Sequence, residues 1–205
     1  MKKYKLILLD PSWEYDNKQQ NDPKRGGITY DTLSMQQLYN IPMGNIAEKD
    51  ALMVCWVTAP KLMDEYYEKY NPISIIRNWG FRPITFLFTW VKLNKSGVGY
   101  YSGLGRYTNS NAEYAIVARK RKGLSRLDKS VKQLIVEPIG KHSAKPQEQY
   151  NRLYRLYGDV PRIELFARDI NPPPKGWDAV GLEMTPSIDI REWIKQYETP
   201  IQNNI

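Results

Sequence analysis

The chain has 205 residues, a formal net charge of +8 and a hydrophobic fraction of 41%, which is typical of a globular protein with its own core. No apolar run approaches the roughly 20 residues that a membrane-spanning helix needs. The single cysteine, Cys55, excludes an internal disulfide, and one cysteine with one histidine argues against a structural zinc site. We expect one domain over residues 1–205, no signal peptide and a reducing compartment, with residues 184–205 forming a C-terminal helix and tail.

The composition also favours a polyanionic partner. Fifteen tyrosines and six tryptophans accompany the positive charge. Basic and aromatic side chains together are typical of a surface that contacts phosphates and stacks on bases. The alternative is a basic protein without such a partner.

The first predicted element is a buried strand over residues 6–9, which ends in Asp10-Pro11-Ser12-Trp13. In open α/β sheets, ligands bind outside the carboxyl ends of strands. The Asp10 carboxylate and the Pro11 carbonyl could each accept one N–H of a planar amine, and Trp13 could stack on the base that carries it. The alternative is an ordinary Asp-Pro turn with a core tryptophan.

Residues 14–30 form a polar loop, either a lid or a surface loop. The capping box Ser34-x-x-Gln37 predicts a short helix to Tyr39. Apolar runs predict strands at 51–57 and 84–91, and apolar spacing predicts helix over most of 60–79, interrupted at Pro72. Residues 92–111 form a glycine-rich loop that matches no phosphate-binding loop pattern.

The second half alternates strands and helices. Residues 119–132 are the most basic segment, with seven Lys or Arg and one Asp, so 7 − 1 gives +6. This segment is either a solvated loop or a phosphate-contacting edge, and a targeting signal is a further alternative. Strands are predicted at 113–118, 134–137, 162–167 and 177–180, and helices at 146–157 and 187–197. The alternation predicts an α/β fold with a mostly parallel sheet.

Four stretches in order carry a family resemblance. Asp10-Pro11-Ser12-Trp13 resembles the Asp-Pro-Pro-Trp motif of adenine N(6)-methyltransferases related to the eukaryotic mRNA adenosine methyltransferase. The later three are His142-Ser143-Ala144-Lys145-Pro146, Ile163-Glu164-Leu165-Phe166-Ala167-Arg168 and Gly176-Trp177-Asp178. The resemblance covers roughly residues 5–183 and points to a compact bacterial or phage DNA-modifying member. It implies a Rossmann-like methyltransferase sheet with helices on both faces, a permuted motif order and S-adenosylmethionine as cofactor.

The resemblance also implies roles for individual residues. The catalytic residues would be Asp10, Pro11 and Trp13, with Asp10 ionised and in no need of a raised pKa. No metal is required. The cofactor-binding residues would be Asp10, Lys145, Glu164, Leu165, Phe166, Arg168, Asn171 and Glu183. The substrate-binding residues would be Ser12, Trp13, Tyr30, Arg106 and Glu113, and the basic segment adds Arg119 and Lys120.

Two residues depart from the family pattern. Ser12 replaces a second proline, and Leu182 replaces an asparagine that would contact the cofactor. A non-catalytic nucleic-acid-binding partner subunit is therefore an alternative to an enzyme. Tyr30 could equally be a packing residue, and His142 is not assigned as a base.

The expected activity is methyl transfer from S-adenosylmethionine to the N(6) amino group of adenine in DNA. RNA would undergo the same chemistry, and the compact chain without added RNA-binding modules favours DNA. Methylation of another planar amine, such as cytosine or a glutamine side chain, is a weaker alternative. The expected location is the cytoplasm of a bacterium or of a phage-infected cell, and a homodimer is left open.

Overall fold

The computed structural model describes residues 1–14, 33–63, 69–103, 105, 107–141 and 144–198. Three residues with predicted or discussed roles, Tyr30, Arg106 and His142, lie outside these ranges. Within the described residues, no helix is both long and apolar enough to cross a membrane.

The centre of the fold is a sheet of seven strands within the described residues, in the order β5-β3-β4-β2-β1-β6-β7. Every neighbouring pair is parallel except the two pairs that involve β4. The predicted mostly parallel α/β sheet is therefore confirmed. The strands are β1 (Tyr4–Leu9), β2 (Ala47–Val57), β3 (Arg82–Leu93), β4 (Ala112–Arg119), β5 (Leu134–Pro138), β6 (Arg162–Leu165) and β7 (Asp178–Val180).

The helices begin and end at residues that explain their limits. The predicted capping box is present, since the Gln37 amide donates to Ser34 Oγ and the Ser34 amide donates to Gln37 Oε1. Pro72 does not lie inside a long helix but opens a new one, because Asn71 caps the helix start. The helices are α1 (Met35–Asn40), α2 (Ala59–Leu62), α3 (Pro72–Asn78), α4 (Glu148–Tyr157) and α5 (Ile190–Lys195).

The sheet is buried on both faces, which explains why residues 6–9 of β1 and 51–57 of β2 are apolar without alternation. Ile7 and Leu9 of β1 point into a cluster that contains side chains of α1, α3 and α5. Leu6 and Leu8 point to the opposite face and pack with side chains of α4. Helices therefore cover both faces, as expected for a Rossmann-like methyltransferase fold.

Strand direction determines which residues meet at one edge. Leu9 pairs with Leu165, and Leu165 pairs with Val180, so β1, β6 and β7 all end at the same edge. Because β4 is antiparallel, it is its beginning that reaches this edge, where Tyr114 pairs with Val57 of β2. The residue preceding Tyr114, Glu113, is thus brought toward Asp10.

Candidate active site

Four charged side chains form a continuous chain at this edge. Asp10 Oδ2 accepts a hydrogen bond from Lys145 Nζ at 2.5 Å. Lys145 Nζ also lies 3.2 Å from Glu113 Oε2, and Lys92 Nζ donates to Glu113 Oε1 at 2.5 Å. The Asp10 side chain keeps 27% of its surface exposed, while Lys145 and Glu113 keep 9% each. The buried ion pairs therefore hold one partly open carboxylate in place.

The protonation of this cluster follows from its burial and its mutual charges. Burial raises the pKa of Asp10, although Lys145 opposes the rise. Burial would also raise the pKa of Glu113, but Lys145 and Lys92 outweigh it and lower that pKa. Burial would lower the pKa of Lys145, but Asp10 and Glu113 raise it. The proposed role does not require a raised pKa for Asp10, and the rise reflects how much of the surrounding surface is closed.

The turn after β1 is held by two hydrogen bonds. The Trp13 amide donates to the Pro11 carbonyl at 2.8 Å, so one lone pair of that carbonyl remains for another donor. The Trp13 indole Nε1 donates to the Trp56 carbonyl at 2.9 Å.

Trp13 is itself only 4% exposed and packs in the core. These contacts are those of a core tryptophan, the alternative that the sequence left open. Stacking of Trp13 on a base stays a prediction, and the buried ring offers little open surface for it. Ser12, next to it, is half-buried.

A third acidic side chain, in addition to Asp10 and Glu113, is that of Glu164. Glu164 of β6 pairs with Leu8, two residues before Asp10, and its Oε2 accepts from Tyr150 Oη at 2.7 Å. Burial raises the pKa of Glu164 to about 7, against the lowering effect of the Tyr150 hydrogen bond. Glu164 therefore changes its charge close to neutral pH.

The other predicted cofactor residues follow the ends of β6 and β7. Phe166 has a φ of 59°, a left-handed conformation that costs a non-glycine residue about 1–2 kcal/mol. Beyond it, Arg168 pairs with Glu183 in an isolated bridge, so the two segments run side by side. Leu165 is fully buried, so only its backbone is available to a ligand.

Asn171 and Lys145 have contacts that the motifs did not indicate. Asn171 Nδ2 donates to the Lys145 carbonyl at 3.1 Å, and Asn171 Oδ1 accepts from Gln147 Nε2. Asn171 therefore holds the segment that carries Lys145. Lys145 is assigned to the cofactor by the resemblance, and its ammonium lies between the carboxylates of Asp10 and Glu113.

Arg119 and Lys120 lie away from Asp10, and their predicted contact with the substrate stays a prediction. Arg119 pairs with Leu52 of β2, and Leu52 pairs with Leu6 at the beginning of β1. The antiparallel direction of β4 thus carries them to the opposite edge of the sheet, about 13 Å from the level of Asp10 along the strand direction, at roughly 3.3 Å per residue. Lys120 Nζ donates there to the Gly44 carbonyl.

Sequence reasoning missed two side chains that join the site. Lys92 lies just beyond the predicted strand 84–91, and a lysine at the end of a buried strand was the available signal. Tyr150 lies within the predicted helix 146–157, and its spacing alone cannot indicate that its hydroxyl reaches Glu164. Both contacts depend on the packing of distant segments.

The mostly parallel sheet with one antiparallel strand, and the polar site at its carboxyl edge, define an α/β protein of the Rossmann-like methyltransferase class. Comparison with known families is more specific. The chain belongs to the MT-A70 family, whose model matches residues 4–183. The resemblance identified from the four motifs is thereby confirmed.

Individual relatives are 26–30% identical to the chain over the aligned residues. The Type II methyltransferase M.MunI of a Mycoplasma species is 30% identical over 200 residues, which cover 89% of this chain and 78% of that protein. The human N(6)-adenine-specific methyltransferase METTL4 is 26% identical over 198 residues, with 89% and 38% covered. The human N(6)-adenosine-methyltransferase catalytic subunit METTL3 is 27% identical over 188 residues, with 89% and 28% covered. The chain thus spans well under half of either human relative.

Proposed function

We propose that the protein transfers a methyl group from S-adenosylmethionine to the N(6) amino group of adenine in DNA. The observation that carries the proposal is the partly exposed Asp10 carboxylate, which Lys145 holds at the carboxyl edge of the sheet. The Pro11 carbonyl follows directly in the chain. These two acceptors suit the two hydrogens of an exocyclic amine.

The residues around Asp10 also fit the cofactor by their chemistry. Its sulfonium and ammonium groups call for acidic partners, and its ribose diol calls for carboxylate, amide or guanidinium groups. Glu164, Arg168, Asn171 and Glu183 supply such groups at the ends of β6 and β7. When bound there, S-adenosylmethionine supplies a methyl group on a sulfonium, which is already strongly electrophilic and requires no metal.

The side chains would then hold the amine and balance its charge. In an adenine amine the nitrogen lone pair is delocalised into the ring, so the site must favour a pyramidal nitrogen. Asp10 and the Pro11 carbonyl do this by accepting the two N–H groups. As positive charge grows on nitrogen, Asp10 stabilises it, which is electrostatic preorganisation. Lys145 occupies Oδ2, so Oδ1 is the oxygen that faces the amine and takes its proton after transfer.

The choice of adenine and of DNA draws on the relatives and the charge. METTL4 carries adenine in its name, and METTL3 carries adenosine. The chain aligns with 78% of the length of M.MunI, which is named a Type II methyltransferase, but with only 28% of the length of METTL3. The net charge of +8 suits a nucleic-acid partner. Duplex DNA would require the adenine to be flipped out, at a cost of a few kcal/mol. A cytoplasmic location follows from the same proposal.

The test is direct. The protein is incubated with S-adenosylmethionine and unmethylated duplex DNA, single-stranded DNA or RNA, and the digested nucleosides are analysed by mass spectrometry. N(6)-methyladenine in DNA supports the proposal. Methyladenosine formed only in RNA would reassign the substrate, and a methylated base other than adenine would overturn the assignment of the acceptor.

A second candidate, a non-catalytic binding subunit, is favoured by the departures Ser12 and Leu182. Leu182 is exposed at the edge where an amide would contact the cofactor. Calorimetry with S-adenosylmethionine separates the two candidates, because a subunit of this kind would not bind the cofactor.

A further inference from the structure

A second concave surface lies beside α4, away from the charged cluster of Asp10. This α4 groove has a volume of about 450 Å³, within the roughly 300–1,000 Å³ that is usual for ligand sites. Its lining combines aromatic rings with cations and contains no carboxylate. The residues that matter here are Tyr150, Tyr154, Arg155, Arg162, Lys175 and Trp177.

The floor of the α4 groove is a buried guanidinium between two rings. The Arg162 guanidinium carbon lies 5.7 Å from the centre of the Tyr154 ring and 5.8 Å from that of Trp177. Arg162 is 8% exposed, and its Nε has no hydrogen-bond partner among the described residues. Gly176 lets the loop close over it, because a Cβ there would lie 2.8 Å from an Arg162 nitrogen.

The upper part of the α4 groove is open. Tyr154 is 57% exposed, so a large part of its ring can receive another planar group. Since Arg162 already lies over this ring, a second cation is disfavoured, whereas a nucleobase is not.

The charges point to a phosphate beside that base. Arg155 and Arg162 are paired with Asp128 and Asp159 respectively. Lys175 is exposed and forms no ion pair with any residue that the structure describes. It is therefore the lysine that a phosphate can reach without displacing an acidic partner.

The α4 groove lies toward the edge of the sheet opposite Asp10, because Arg162 pairs with Leu6 near the beginning of β1, and Tyr150 connects the groove to the candidate active site. Tyr150 packs edge-on against Trp177 with ring centres 5.4 Å apart, while its hydroxyl donates to Glu164. The Tyr150 side chain thus lines the α4 groove and also hydrogen-bonds to Glu164 of the candidate active site.

We propose that the α4 groove binds a nucleotide of a nucleic-acid strand outside the acceptor position, with the base stacked on Tyr154 and the phosphate on Lys175. The proposal rests on the nucleic-acid substrate of the proposed function. The groove would anchor the strand and leave the chemistry at Asp10 unchanged.

The test uses a fluorescein-labelled thymine-only single strand and anisotropy without cofactor, so that no acceptor adenine takes part. Tyr154→Ala is expected to weaken binding between about five- and a hundredfold, because one stacked base is lost. Tyr154→Phe retains the ring and is expected to bind within twofold of the parent. Lys175→Ala is expected to reduce the slope of log affinity against log salt by about 0.7.

The control is Lys195→Ala, which removes a cation from α5 on the other face of the sheet and is expected to change nothing. The proposal is overturned if Tyr154→Ala and Lys175→Ala both bind like the parent. Equal competition by thymidine monophosphate and by the unlabelled strand would also overturn the assignment to a strand.

Methylation of DNA is scored separately on the same preparations. If the parent methylates DNA while Tyr154→Ala and Lys175→Ala both bind the strand normally, only the proposal for the α4 groove is refuted. A parent that never methylates adenine but binds the strand through Tyr154 refutes only the proposed function.

Discussion

The Nζ atom of Lys145 lies 2.5 Å from Oδ2 of Asp10, although the two residues are 135 positions apart in the chain. The contact joins the strand-end motif to the segment that leads into α4. It also orients the carboxylate, since the lysine engages one oxygen and no residue that the structure describes donates a hydrogen bond to the other. Asp10 is thereby positioned before any ligand arrives.

Replacing this carboxylate tests its proposed role. We expect Asp10→Asn to slow methyl transfer by about 100-fold or more, because a neutral amide cannot stabilise the positive charge that grows on the amine. Initial rates on DNA measure the effect. Asp50→Asn, at a carboxylate that accepts from the Lys122 amide in another part of the sheet, is the matched control and should leave the rate unchanged. An undiminished rate in Asp10→Asn would remove Asp10 from the reaction.

Lys145 should matter for stability as well as for activity. In Lys145→Met, Asp10 and Glu113 would lose the cation between them, and we expect the free energy of unfolding to fall by about 3 kcal/mol. The double variant Lys145→Met/Glu113→Gln should regain part of this loss, because one buried charge is then removed. Urea denaturation at pH 7 measures both. A single variant within about 0.5 kcal/mol of the parent would contradict the structural role of the pair.

Glu164 predicts a specific pH dependence of stability. The folded protein retains the Glu164 proton up to a pKa of about 7, whereas the ordinary value is 4.5. The folded state therefore binds more protons than the unfolded chain between these values, so stability falls as the pH rises through this window. Urea titrations at pH 5 and pH 8 should show that Glu164→Gln becomes more stable, relative to the parent, at the higher pH.

Tyr150→Phe gives an independent check of the same group. Without the hydroxyl that lowers the Glu164 pKa, the pH window should move upward. A parent and a Glu164→Gln variant with parallel pH profiles would show that Glu164 titrates normally.

The segments that follow β6 and β7 approach each other so closely at Gly181 that we expect no side chain to fit there. A Cβ on Gly181 would lie 2.1 Å from the Ala167 carbonyl oxygen, so we expect Gly181→Ala to cost about 1–3 kcal/mol and to weaken binding of S-adenosylmethionine. Gly80→Ala is the comparison, because its φ of 85° is strained but no atom lies within 4 Å. We expect it to cost about 1 kcal/mol and to leave cofactor affinity unchanged. Thermal unfolding and calorimetry measure the two effects, and equal losses of cofactor affinity in both variants would contradict this account.

Local patterns predicted much of the fold. The strand before Asp10 and the capping box of α1 are encoded by neighbouring residues, and both are confirmed. Pro72 was read as an interruption, and the structure refines this to a helix start, because Asn71 supplies the cap. The direction of β4 was not predicted, since an apolar run has the same pattern in either direction. This is why the sequence did not indicate that Arg119 and Lys120 lie at the edge of the sheet opposite Asp10.

The sequence by itself determined the α/β class and the order of the motifs, and it singled out Asp10 as the candidate catalytic residue, because each depends on short-range patterns. Only the tertiary structure decided which charges surround Asp10, that Trp13 packs into the core and that Glu164 titrates near neutral pH. The physical reason is that burial and ion pairing depend on which distant segments meet. Strand direction and helix packing settle that choice, and neither can be derived from the spacing of residues along the chain.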